Sequence, residues 1–379
     1  ADGVLQPPPK PRVYELLLKA VTDKMGIPAV PMRRAVITQD LDDRKACFYA
    51  TGCGRGCSIG AAFQTTTSLL PWAQKTGNMK LVTDAMVKEV HVDENGRASG
   101  VTFVNRLTNE DIRVDADRVI LAASACETAR LMLNSKSALH PNGLANSSGQ
   151  VGRNLMDSLG ADIGGFIPAL RGRPKYNEDG YSSNHLYIPW WDNAGQKDGT
   201  LDFTRGYHFE VGGGFNSPGM GVASRVDGYG KRAKDEVRDL YGTGINLALR
   251  GEMVQSDNCY CEIDEDVKDK WGIPVLKFHW QWSEQELNQV AHGLEWGKKI
   301  IEAMGGIVNN PDATPEQAIK AGGQIIHEVG TARMGASSAD SVTNQWGQTW
   351  DCPNLFVMDG GVFASNPLVL NLFNPKLSL

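Results

Sequence analysis

Apolar positions along the chain shift from helical spacing to alternation and back. Val13 to Lys24 carries Leu16, Leu17, Leu18, Ala20 and Val21 at helical spacing. Thr66 to Thr76 predicts a second helix. A β-meander then begins, with strands predicted at Met79–Val82, Ala85–Val92, Gly100–Asn105 and Ile112–Val114. Asp93-Glu94-Asn95-Gly96-Arg97 supplies a hairpin turn with Asn-Gly at its tip. Arg118 to Ala123, apolar from Val119 onward, is typical of a buried parallel strand, and it leads straight into a helix at Glu127–Asn134.

From about Gly160 to Lys277 the chain is richer in Gly, Tyr, Trp and Phe. Short alternating segments at Leu201–Phe203, Gly206–Val211, Ile245–Arg250 and Cys259–Ile263 predict a mostly antiparallel sheet. Ser283 to Met304 predicts a long helix, with Ser283 as N-cap and Glu286 completing a capping box. Beyond Gly322 the pattern is irregular and Gly-rich, with one strand at Leu355–Met358. The fold class is therefore α/β (α+β): an incomplete Rossmann-like domain plus an antiparallel-sheet domain. The divisions expected are 1–158, 159–282 and 283–379.

Composition narrows the function. The 379 residues carry a net charge of −6, which argues against a nucleic-acid partner, because phosphate recognition needs a basic face. No apolar run is long enough for a transmembrane helix. Seven cysteines are too few for a disulfide scaffold of this length. The Pro-rich start, Ala1 to Pro11, has no initiator Met and no signal peptide, and Asn374 to Leu379 reads as an element cut short. Both ends read as incomplete.

Cys47, Cys53 and Cys57 fall within eleven residues, with three glycines between the first and last. Thiolates are the usual protein ligands of iron–sulfur clusters and of zinc. A structural zinc site wants a fourth ligand, and none is near in sequence. Three thiolates suit a cluster of three irons and four sulfurs. The alternative is a loop of reduced cysteines, or one disulfide and a spare thiol. Cys126, Cys259 and Cys261 read as core, and Cys352 as a turn residue. The Trp and Tyr side chains of the middle region (Tyr187, Trp190, Trp191, Tyr207, Trp280, Trp282) offer faces on which a ring-shaped ligand would stack, although core packing accounts for each one singly. His327 stands alone after Ile325-Ile326, in a Gly-rich stretch where backbone can approach a ligand closely.

Four separated motifs resemble the glucose–methanol–choline oxidoreductases. They are Gly77 to Val90, Val119–Ala123 with Glu127–Ser135, Asn142–Asp157, and His327–Gly335 with Asn354–Phe363. The resemblance implies FAD as cofactor, with Val87, Ala123, Glu127, Arg130, Asp359 and Gly360 among its contacts. It implies His327 as the base that takes an alcohol proton while hydride passes to the flavin. The second polar residue of the family would come from Asn371 or Asn374, and the tail Leu368–Phe373 departs from the family pattern. Ser158 stands where relatives often have His. The family's Gly-x-Gly-x-x-Gly phosphate loop is missing, so the chain is expected to be part of a longer polypeptide or to pair with a separate piece.

The cysteine triple resembles the 3Fe-4S loop of bacterial FAD-dependent sugar dehydrogenases. That likeness implies a sugar or glycoside substrate and an iron–sulfur exit for electrons. It further implies a small accessory subunit, a cytochrome c or quinone acceptor, and periplasmic export. The competing expectations are an oxygen-using pyranose or alcohol oxidase, and a non-catalytic, cluster-bearing electron-transfer subunit.

Overall fold

The computed structural model describes residues 5–49, 56–174, 185–215, 220–223 and 226–366. The chain runs α1 (Val13–Lys24), β1 (Val30–Pro31), α2 (Leu69–Lys75), β2 (Ala85–Val92), β3 (Ala98–Asn105), β4 (Asp111–Asp115), β5 (Val119–Leu121) and α3 (Ala125–Asn134). It continues through β6 (Leu159–Phe166), β7 (Leu186–Ile188), α4 (Asn193–Asp198), β8 (Tyr207–Gly213), α5 (Met220–Ala223), α6 (Gly230–Leu240) and β9 (Gly244–Gly251). Then come β10 (Tyr260–Lys268), β11 (Pro274–His279), α7 (Glu284–Ala303), β12 (Ile307–Val308), α8 (Pro315–Ala318) and β13 (Leu355–Val357). These elements fall into two compact units. One holds Ala1–Lys80, Gly160–Gly251 and Leu287–Ile319; the other holds Leu81–Leu159, Glu252–Glu286 and Lys320–Leu379.

The first unit is built on a six-stranded sheet in the order β1-β7-β8-β9-β6-β12. The pairings recorded, β1 with β7, β7 with β8, β8 with β9 and β12 with β6, are antiparallel. Alternation decides its faces: Tyr207, Phe209 and Val211 on β8 and Ile245, Leu247 and Leu249 on β9 are buried. Most of α7 covers this sheet. Its Gly293 and Gly297 let the helix approach closely: a Cβ at Gly297 would lie 3.0 Å from Ile163 Cγ1, and one at Gly293 would collide with Leu249. The predicted strand at Leu201–Phe203 does not form. Phe203 is instead buried against Trp190 and His292.

Trp190, Trp191 and Tyr207 pack around His292 with Trp296; Tyr207 is fully buried and the three tryptophans are half-buried. Trp296 Nε1 donates to His292 Nε2 at 3.0 Å. His292 Nδ1 must then carry the proton and donate it to the Tyr207 hydroxyl at 2.8 Å. Burial holds the imidazole below its ordinary pKa, against the pull of Asp192 and Glu295.

The second unit combines the meander β2-β3-β4, the hairpin β10-β11 and a parallel pair, β5 with β13. Met79–Val82 is not a strand: Leu81 and Val82 are exposed. The apolar run at β5 predicts a strand buried on both faces. Val119 and Leu121 are buried, but Ile120 is 63% exposed, so the described sheet is covered on one face only. That face packs with Ala129, Leu131 and Met132 of α3 and with Leu355 and Val357 of β13. Cys261 and Cys352 lie buried in the same core, and Cys259 in a neighbouring one. At the start of α7, Glu286 accepts the Ser283 N–H at 3.0 Å, as a capping box requires. The Ser283 hydroxyl does not complete the box; it donates to Glu286 as well, at 2.5 Å.

Replacing Tyr207 with Phe leaves the buried His292 Nδ1–H without an acceptor. The expected loss is about 1–3 kcal/mol in denaturant unfolding; an unchanged midpoint would contradict the hydrogen-bond assignment.

Candidate functional site

The site in the second unit is assembled from three irregular segments, and glycines permit their approach. Gly152 (φ +82°) donates to Thr331 O at 2.8 Å, and a Cβ there would lie 2.3 Å from Cys261 O. Gly330 (φ +94°) donates to Gly360 O at 3.1 Å, and a Cβ there would lie 2.1 Å from Asn154 O. Between them, Met156 and Val329 exchange both main-chain hydrogen bonds, at 3.0 and 2.9 Å. Ala332 N donates to Gly361 O at 2.8 Å, adding the third segment.

Asp157, fully buried, closes this arrangement. Its Oδ1 accepts the His327 N–H at 2.9 Å, and its Oδ2 accepts the Gly323 N–H at 3.1 Å. Burial raises its pKa, and these N–H groups oppose the rise. His327 is half-buried. Its Nδ1 lies 3.3 Å from Ser158 Oγ, and Ser158 donates to Asn366 Oδ1 at 3.2 Å. Asn366 Nδ2 reaches back to His327 O at 3.4 Å. The preceding residue, Ile326, holds φ +60° while 75% exposed, a conformation that a β-branched side chain rarely adopts. Strain of this kind persists only where surrounding structure imposes it, and it concentrates at functional sites.

Four of the six residues expected to contact a nucleotide cofactor, Val87, Ala123, Glu127 and Arg130, line one cleft of about 280 Å³. Its walls are apolar at Val87, Leu131 and Ile273 and polar at Lys88, Glu127 and Arg130. That mixture fits a flat heteroaromatic ring with polar edges. Ser124, at the turn from β5 into α3, has φ +77° and ψ 161°, a region almost reserved for glycine. Thr128 ties this turn to the turn after β13: its hydroxyl accepts from Ala123 N at 3.2 Å and donates to Asp359 Oδ2 at 2.5 Å. Asp359 Oδ1 accepts Gly361 N at 2.8 Å. Gly360 passes so close to the segment of His327 that a Cβ would lie 2.8 Å from Glu328 O.

Arg130 serves mainly as a brace. Its guanidinium bonds Asp269, Glu127 and the carbonyls of Ile273 and Pro274, fixing the β10–β11 turn to α3. Burial would raise the Asp269 carboxyl, but Arg130 and the N–H groups of Ile273 and Trp271 hold it below its ordinary value of 3.8.

The cysteine loop lies in the first unit. Cys47 N donates to Ile37 O, and Ile37 N donates to Ala61 O, so one short segment holds both the start of the loop and the turn after Cys57. Arg44 binds the carbonyls of Gly60 and Ala61 at 2.9 and 3.1 Å. Burial works to raise the Cys57 thiol, but the N–H groups of Ala62, Ile59, Ala61 and Gly60 gather at its sulfur and lower it overall. Cys47 Sγ accepts the N–H of Tyr49 at 3.4 Å. By contrast, burial pushes the Cys126 and Cys261 thiols up to about 12 and raises those of Cys259 and Cys352. Cys53 lies outside the described residues, and among the described residues no three His, Cys, Asp or Glu side chains are placed to hold a metal.

Asn371 and Asn374 also lie outside the described residues. The polar side chain found beside the histidine is Asn366. Its signal in the sequence is the Asn-Pro pair, since a residue before proline is held extended.

A cleft of about 280 Å³ and a histidine held by a buried carboxylate are joined through one Gly-rich turn. The chain belongs to the GMC oxidoreductase family, whose N-terminal domain matches residues 7–159 and whose C-terminal domain matches residues 255–370. It is 28% identical to 2-methyl-1,2-propanediol dehydrogenase of Mycolicibacterium austroafricanum, over 96% of this chain and 64% of that protein. It is 26% identical to the fructose dehydrogenase large subunit of Gluconobacter japonicus, over 92% of this chain and 61% of the relative. The chain thus spans less than two thirds of either curated relative. The fold is shared with an Aspergillus oryzae formate oxidase variant solved to follow its FAD modification, at TM-score 0.62 and 15% identity over 93% of this chain and 66% of that one.

Two outcomes follow from this geometry. Gly330→Ala puts a methyl against Asn154 O in left-handed backbone and is expected to cost at least about 2 kcal/mol by thermal unfolding; a neutral result would remove the close-approach argument. Asp269 has a lowered pKa, so its stabilisation is complete above about pH 3.8 and is lost as pH falls through its folded value. Asp269→Asn is expected to be less stable at neutral pH, with a flatter loss of stability in acid. An acid limb identical to that of the parent protein would contradict the Arg130 brace.

Proposed function

We propose that this chain forms the catalytic part of a flavin-dependent dehydrogenase oxidising a hydroxyl group of a sugar, glycoside or related polyol. The observation that carries the reading is the setting of His327. Its main chain is anchored on buried Asp157, its Nδ1 faces buried Ser158, and its ring remains half-exposed. That leaves Nε2 as the ring atom to accept a proton from a substrate hydroxyl. Val87, Ala123, Glu127 and the Asp359-Gly360 turn would hold FAD, with Thr128 keeping that turn in register with the end of β5. Bound flavin supplies acceptance of the hydride leaving the substrate carbon. The diol, fructose and gluconate dehydrogenases among the relatives support hydroxylated substrates.

The proposal extends to an iron–sulfur cluster held by Cys47, Cys53 and Cys57. The support is chemical: among the described cysteines, Cys57 has surroundings that favour thiolate, as a metal ligand requires. Such a cluster supplies one-electron acceptance and an exit that does not need oxygen. A small accessory subunit and a cytochrome c or quinone acceptor in the periplasm complete the proposal; the matching fructose dehydrogenase chain is itself a large subunit. No helix among the described residues is long and apolar enough to cross a membrane.

His327→Ala is expected to lower turnover by about two to four orders of magnitude with flavin still bound; near-normal turnover would sink the base assignment. Cys57→Ser is expected to remove iron and acid-labile sulfide while substrate still reduces flavin in a single turnover. Unchanged iron would end the cluster proposal, and oxygen consumption matching substrate oxidation would favour an oxidase.

A further inference from the structure

The hydrogen bonds around His327 dictate where its ring proton sits. The main-chain oxygen of His327 can only accept, and Asn366 Nδ2 approaches it at 3.4 Å. The reversed amide would set two oxygens against each other. The amide oxygen therefore faces Ser158 Oγ, 3.2 Å away. An amide oxygen also can only accept, so the single proton of the Ser158 hydroxyl is directed at Asn366. Ser158 Oγ lies 3.3 Å from His327 Nδ1 as well. With its proton committed, the hydroxyl meets Nδ1 as an acceptor, and Nδ1 must be the protonated nitrogen. Ser158 and Asn366 are each 3% exposed, which leaves water little opportunity to substitute for either partner. Asp157 does not compete for the ring, since its two oxygens receive the main-chain N–H groups of His327 and Gly323.

We infer that Ser158, backed by Asn366, is a positioning residue that fixes the neutral His327 imidazole with its proton on Nδ1 and its lone pair on Nε2. The chain uses a main-chain carbonyl as the reference that orients an amide, then a hydroxyl, then the ring. The hydrogen bond at one imidazole nitrogen decides the protonation of the other. On proton transfer the substrate O–H bond breaks and an N–H bond forms at Nε2. The resulting imidazolium then donates its Nδ1–H to Ser158 as a charge-assisted, stronger hydrogen bond. The catalytic consequence rests on His327 being the proton acceptor proposed above; the assignment of the tautomer does not.

The test is nitrogen NMR of the flavin-loaded protein labelled at histidine, at a pH where the ring is neutral, beside steady-state kinetics. The parent protein is expected to show the Nδ1–H pattern for His327. Ser158→Ala is expected to lose it, with kcat falling about tenfold to a hundredfold and KM nearly unchanged. Ser158→Thr, which returns a hydroxyl, is expected to recover the pattern and most of kcat. An Nε2–H pattern in the parent, or an unaltered Nδ1–H pattern in Ser158→Ala, overturns the inference. If the tautomer shifts as expected but His327→Ala retains normal turnover, the tautomer assignment stands and the base assignment falls.

Discussion

The carboxyl of Asp157 is fully buried, and the main-chain N–H groups of His327, Gly323 and Ser158 and the charge of His327 oppose the rise in its pKa that burial causes. A buried carboxylate without such donors would neutralise or be expelled. The geometry that supplies them is demanding. Residues 152–158 and 327–332 must run antiparallel at main-chain distance, which Gly152 and Gly330 allow and side chains would forbid. The turn at Gly360 depends on the same approach, because it lies against the carbonyl of Glu328. Histidine, cofactor turn and buried acid are therefore set by one constraint.

That constraint also accounts for the backbone strain nearby. Ile326 and Ser124 hold conformations that their side chains disfavour, one beside the histidine and the other at the turn from β5 into α3. Each is flanked by firm anchors: Asp157 on the far side of Ile326, and Thr128 with Asp359 beside Ser124. The surroundings offset an unfavourable local geometry in order to expose a ring nitrogen in one case and a backbone turn in the other.

Much of this was legible in the sequence. The Asn-Gly turn, the β5–α3 unit and the long helix α7 follow from spacing and local turn chemistry. Val87 on β2, Ala123 in the turn after β5, and Glu127 and Arg130 on α3 line one cleft, and the elements that bring them together follow from local pattern. What was not legible depends on contacts between distant segments. The pairing of Ser158 with Asn366 joins residues that no local pattern connects. The aromatic residues near Trp190 read singly as packing rather than as a stacking platform, and their arrangement around His292, with Tyr207 buried and the tryptophans half-buried, joins positions that no local pattern connects. Met79–Val82 carries strand-like residues but lacks a paired neighbour, and propensity without a partner strand does not make a sheet.

The two sites divide the proposed chemistry between proton and electron. The His327 region handles the proton through a neutral imidazole held by buried hydrogen bonds. Among the described cysteines, Cys57 of the loop is held low by backbone N–H groups, while Cys126, Cys259, Cys261 and Cys352 are held high by burial. The most direct measurement mixes the flavin-loaded protein without oxygen with sugars and polyols and follows the flavin absorbance. The account predicts rapid bleaching by at least one hydroxylated substrate. Flavin that stays oxidised against every alcohol, polyol and sugar offered would contradict it.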